Sequence, residues 1–99
     1  MVTLVNVPRY IALLKNYGSK PTLTQWLKKE GDLVVEGQAL AVIETSKASL
    51  EIVAATAGII FFLRKAGENV KIGDTLGIIA GSKSEVAEFK TMLTNYQLN

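Results

Sequence analysis

Displacing the chain by 36 residues brings two of its segments into register. Leu27 falls on Leu63, Lys29 on Lys65, Gly31 on Gly67 and Val34 on Val70. Gly37 then falls on Gly73, Leu40 on Leu76 and Ile43 on Ile79, with Trp26 on Phe62, Lys28 on Arg64 and Asp32 on Glu68 as conservative matches. Both copies read as an apolar run, a basic doublet, glycine then acid, valine, a second glycine and Leu-x-x-Ile. Neither copy is long enough to be a domain, so the two must enclose one shared core about an approximate two-fold axis.

The glycines mark turns, because glycine enters the φ > 0 region at no steric cost. Between them lie short runs rich in β-branched residues: Thr22–Lys28, Leu40–Thr45, Leu50–Val53, Ile59–Arg64 and Thr75–Ile79. Short runs separated by regular turn signals predict an all-β sandwich or barrel. With 99 residues and 48% hydrophobic composition the chain is one domain with a real core, not a disordered segment. No apolar run approaches the roughly 20 residues of a membrane helix. Arg9 and Lys15 interrupt any signal-peptide pattern, so a cytoplasmic protein with no membrane partner is expected.

Several function classes fall away on composition. There is no cysteine and no histidine, which removes disulfides, thiolate nucleophiles, the usual general base and most transition-metal ligands. The nine carboxylates are dispersed, with no pair placed for acid–base work, so neither a catalytic residue nor a metal site is expected. The formal charge of +2 comes from eleven basic residues spread along the chain and largely matched by acids, which argues against a nucleic-acid partner.

The stretch from Gln38 to Ala55 alternates apolar and polar residues on both sides of Ser46-Lys47. Two alternating runs split by small polar residues predict a β-hairpin with Lys47 at its tip. Displacement by 36 relates Lys47 to Lys83, where the chain would leave the sandwich instead of turning back. A lysine at a turn is ordinarily a solvated charge, and the residues alone do not say what this one is for.

The span Trp26–Gly81 resembles the lipoyl domains of 2-oxo acid dehydrogenase acyltransferase components. The resemblance rests on Trp26-Leu27-Lys28-Lys29-Glu30-Gly31-Asp32, on Gly37 through Ile43-Glu44-Thr45-Ser46-Lys47-Ala48, and on Ala57-Gly58-Ile59-Ile60. Gly31 precedes Lys47 by 16 residues and Gly58 follows it by 11, the spacings expected of that family. It implies a flattened barrel of two four-stranded sheets with quasi-two-fold symmetry and turn glycines at Gly31, Gly37, Gly58, Gly67 and Gly73. It also implies lipoic acid in amide linkage to Lys47, flanked by Glu44, Thr45, Ser46 and Ala48. The implied partners are a lipoate ligase or lipoyl transferase, a 2-oxo acid dehydrogenase, the acyltransferase core and dihydrolipoyl dehydrogenase. The implied role is a non-catalytic carrier of acyl groups, in a bacterial cytosol or a mitochondrial matrix.

The chain departs from that pattern in places. Ser46 stands where the family has aspartate, and the span from Pro8 to Trp26, including residues 9–17, is longer than the family's short loop beside the lysine. The domain is slightly basic where the family is typically acidic. Residues 1–81 are read as the carrier domain and 82–99 as a tail. In that tail Ser82-Lys83-Ser84-Glu85 forms an S-x-x-E capping box ahead of Val86, Phe89, Leu93 and Tyr96 on one helical face. Two alternatives stay open: a biotin carrier domain, whose lysine is usually flanked by methionines, and an unmodified sandwich serving as an interaction module.

Overall fold

A computed structural model describes residues 1–13 and 20–98. The strands are β1 (Val2–Asn6), β2 (Thr22–Trp26), β3 (Leu33–Val34), β4 (Ala39–Glu44), β5 (Ser49–Val53), β6 (Gly58–Phe62) and β7 (Thr75–Ala80). A 3-10 turn at Arg9–Leu13 follows β1, and the helix α1 (Lys83–Leu98) closes the chain. The strands form two antiparallel sheets, ordered β1-β7-β6-β3 and β2-β4-β5. The predicted sandwich is present, with one difference in strand count. The second sheet has three strands, and its fourth position is held by Asn69, which makes a single antiparallel bridge to Thr22. Its counterpart, β3, is itself only two residues long, so neither pairing is extensive.

The internal repeat is visible bond by bond. Gly31 N donates to Ile60 O at 2.8 Å, and Gly67 N donates to Leu23 O at 2.6 Å. Gly37 N donates to Ala54 O at 2.7 Å, as Gly73 N does to Val7 O at 3.0 Å. Leu27 N reaches Leu40 O at 2.7 Å and Leu63 N reaches Leu76 O at 2.9 Å. Gly31 and Gly67 have φ of +90° and +98°, a conformation that L side chains rarely adopt. Trp26 and Phe62, equivalent under the repeat, stack on one another with centroids 4.1 Å apart and planes 13° apart. The pseudo-two-fold axis therefore passes between these two rings.

One residue breaks the register. Thr24 is inserted in β2, where the pairing with β4 shifts between Leu23 and Gln25. Leu23 pairs with Ile43 as Ile60 pairs with Ile79, so Leu23, not Thr24, supplies the inward side chain. The core then fills from both copies: Leu40 and Leu76, Ile43 and Ile79, Val34 and Val70, Leu23 and Ile60 are all buried. Ile11, in the 3-10 turn, is fully buried among them, which anchors the start of the long β1–β2 connection. Residues 14–17 of the expected insertion lie outside the described residues.

Helix α1 begins with the predicted capping residues. Ser82 Oγ accepts from Glu85 N at 3.3 Å, while Glu85 Oε1 accepts from Gly81 N at 2.7 Å. Val86 is buried and Phe89 half-buried against Ile78, Ala80, Phe61, Leu63 and Val2, on the outer face of the four-stranded sheet. Lys90 Nζ sits 5.7 Å from the Phe61 ring centroid, a cation–π contact. Leu93 is half-buried, and the side chain of Tyr96 lies outside the described residues. Among the described residues no helix is long and apolar enough to cross a membrane.

Candidate functional site

Strands β4 and β5 pair from Ala39 with Val53 to Glu44 with Ser49, and the chain reverses through Thr45, Ser46, Lys47 and Ala48. Thr45 N donates to Ala48 O at 2.8 Å, which leaves Ser46 and Lys47 as the two residues at the extreme of the hairpin. Two-residue hairpin tips ordinarily use glycine or asparagine to reach the backbone twist they need. Here neither is present, and the Thr45 side chain holds the turn. Its Oγ1 accepts from Lys47 N at 3.1 Å and from Ala48 N at 3.0 Å.

The arrangement separates a fixed base from a free amine. Below the tip, Ile43 and Ile52 are buried and tie the hairpin to the core, while Leu50 packs against it half-buried. At the tip, Ser46, Lys47 and Ser49 are exposed and Ala48 is half-buried. Among the described residues Lys47 Nζ makes no ion pair. A primary amine without its proton is a nucleophile toward an activated acyl carbon.

The structure gathers Glu44, Thr45, Ser46, Lys47 and Ala48 at this tip. Gly31, Gly37, Gly67 and Gly73 lie in turns of the two repeats instead, and Gly58 opens β6. Lys83, related to Lys47 by the repeat, is the first residue of α1 and lies in no hairpin. The part played by the Thr45 hydroxyl is not visible in the alternation of apolar and polar residues. The signal for it was a Ser/Thr position opening a hairpin tip that lacks glycine and asparagine.

The family model described as "Biotin-requiring enzyme", that of biotin/lipoyl proteins, matches residues 5–79. The chain belongs to the biotin/lipoyl family. Among its relatives, the acetyltransferase component of the pyruvate dehydrogenase complex of Zymomonas mobilis is 39% identical over 69 residues, covering 68% of this chain and 16% of that protein. The succinyltransferase component of the 2-oxoglutarate dehydrogenase complex of Bacillus subtilis is 35% identical over 68 residues, covering the same shares. The chain thus spans about a sixth of these relatives' length (16%). Its fold resembles the solution structure of the lipoyl domain of the 2-oxoglutarate dehydrogenase complex from Azotobacter vinelandii, with a TM-score of 0.55 and 30% identity over 63% of this chain and 80% of that one. The biotin/lipoyl match ends at Ile79, ahead of α1.

Proposed function

We propose that this chain is a lipoyl carrier domain in which Lys47 bears lipoic acid and carries acyl groups between the active sites of a 2-oxo acid dehydrogenase-type complex. The observation that carries this reading is the exposed amine of Lys47 on a hairpin tip bound to the core, in a chain similar to acyltransferase components of such complexes. The tip suits a covalent group: small residues on either side leave room for an enzyme to close over the amine, and Thr45 keeps the backbone beneath it in place.

Attachment needs a lipoate ligase or lipoyl transferase. The enzyme first takes a proton from Nζ, because the nitrogen attacks through its free lone pair. Nζ then attacks the activated carboxyl carbon of the lipoyl donor and a C–N bond forms. The bond from that carbon to its activating group breaks, and the group leaves with the electron pair. The nitrogen's remaining surplus proton passes to solvent, leaving a neutral amide. When bound, the dithiolane supplies a reducible disulfide able to take up and release an acyl group. The chain's own contribution is to tether that group and raise its effective concentration at each active site. The dehydrogenase, the acyltransferase core and dihydrolipoyl dehydrogenase are the partners this role requires, in a bacterial cytosol or a mitochondrial matrix.

Incubation with lipoate, ATP and a lipoate ligase should add the mass of one lipoyl group, placed on Lys47 by fragmentation. Lys47→Arg keeps the charge and should abolish the addition without changing the melting temperature. Biotin with a biotin ligase should give little product, because Ser46 and Ala48 stand where biotin domains carry methionines. Efficient biotinylation would move the assignment to the carboxylase carriers. If neither ligase acts on the folded protein, the domain is an interaction module.

A further inference from the structure

The tip of the β4–β5 hairpin is held by a side chain as well as by the backbone bond from Thr45 N to Ala48 O. Thr45 is half-buried, and its Oγ1 accepts from two consecutive amides, Lys47 N at 3.1 Å and Ala48 N at 3.0 Å. The same hydroxyl lies 3.4 Å from Ala48 O, toward which it directs its own proton. One oxygen thus fixes the backbone on both sides of the Lys47 Cα, and so sets the direction in which the lysine leaves the domain. Ser46 and Lys47 themselves are exposed.

Resting on the lipoyl-carrier reading above, we propose that Thr45 is a positioning residue for modification of Lys47. Its hydroxyl holds the turn in the one backbone geometry from which Nζ reaches the activated acyl carbon in the ligase. Thr45 touches neither the donor nor the amine and acts through the Lys47 backbone alone. Because reaction rates depend steeply on alignment, loosening this turn should slow modification far more than it lowers stability. The Lys47 amide it releases is exposed, and there water replaces the lost partner.

The test compares Thr45→Val, nearly the same size without the acceptor, with Thr45→Ser and Thr45→Asn, which restore an acceptor oxygen at this position. Lipoylation by a lipoate ligase with lipoate and ATP would be followed by intact mass, and amide exchange at Lys47 and Ala48 by NMR. The valine variant should lose about 10- to 100-fold in kcat/KM. It should also exchange both amides faster, while its melting temperature stays close to that of the unsubstituted domain. Serine and asparagine should restore most of the rate and of the protection, which a bulk packing role for the methyl would not produce. A valine variant modified at the unsubstituted rate would overturn the proposal and leave the carrier reading intact. Failure of the unsubstituted domain to be modified at all would instead overturn the carrier reading, and this proposal with it.

Discussion

A Cβ added at Gly77 would collide with the Phe61 carbonyl oxygen and come within 3.2 Å of Trp26 Cη2. Its equivalent in the other copy is Ala41, also buried, so both copies keep a small residue at this position. Gly31 is glycine for a different reason: nothing lies within 4 Å of its missing Cβ, and its φ of +90° is the constraint. The two causes predict different substitution patterns. Gly77→Ala forces a backbone contact apart and should cost about 1–3 kcal/mol. Gly31→Ala should cost about 1–2 kcal/mol for the left-handed backbone. Asparagine tolerates that conformation, so Gly31→Asn should be milder than Gly31→Ala, whereas Gly77→Asn should be worse than Gly77→Ala. Thermal melts of the four variants would decide it, and the same ordering at both sites would contradict these assignments.

Among the elements, α1 is where the two copies diverge. The outer face of the four-stranded sheet carries Phe61, Ile78 and Ala80, and the equivalent positions of the other sheet are Gln25, Val42 and Glu44. One face is apolar because a helix covers it. That contrast was present in the sequence, yet it acquires meaning only once the repeat is used to compare faces as well as turns. The capping box and the Val86–Phe89–Leu93 stripe announced the helix itself. Val86→Ala removes two buried methyl groups and should cost about 2 kcal/mol. Deleting residues 83–99 should expose Phe61 and Ile78, lower the melting temperature and raise binding of an apolar dye. Unchanged melting after the deletion would mean that the helix rests on the sheet without stabilising it. Glu85 adds a pH dependence. Its carboxyl is held below its ordinary value of 4.5, first by a hydrogen bond from the Met1 amine and then by the Gly81 N–H. A carboxyl lowered in the folded state contributes its full stabilisation above the unfolded value and loses it as the pH falls through the folded one. Glu85→Gln should therefore be less stable than the unsubstituted chain near neutrality, and the gap should narrow in acid.

For the whole molecule, the repeat and the hairpin made the sandwich and the position of Lys47 legible, because turn glycines and two-residue alternation are local signals. Three things were not legible, each for a physical reason. The bulge at Thr24 shifts the copies by one residue, so Leu23 and Ile60 do not match at the constant offset. Strand β3 and the bridge at Asn69 are too short to show any alternation. Strand β1 completes the four-stranded sheet by pairing with β7 across the length of the chain, which no local pattern reveals. The same symmetry supplies an internal control for the site. Lys83 is the repeat's counterpart of Lys47, but it begins a helix, and so it should stay unmodified wherever Lys47 is modified. The central claim is that Lys47 alone carries the prosthetic group. It is tested most directly by intact mass and fragmentation of the protein purified from its native host. The expected result is the mass of one lipoyl group, on Lys47 and absent from Lys83. Material from lipoate-replete cells with Lys47 unmodified, or with the group on another lysine, would contradict it.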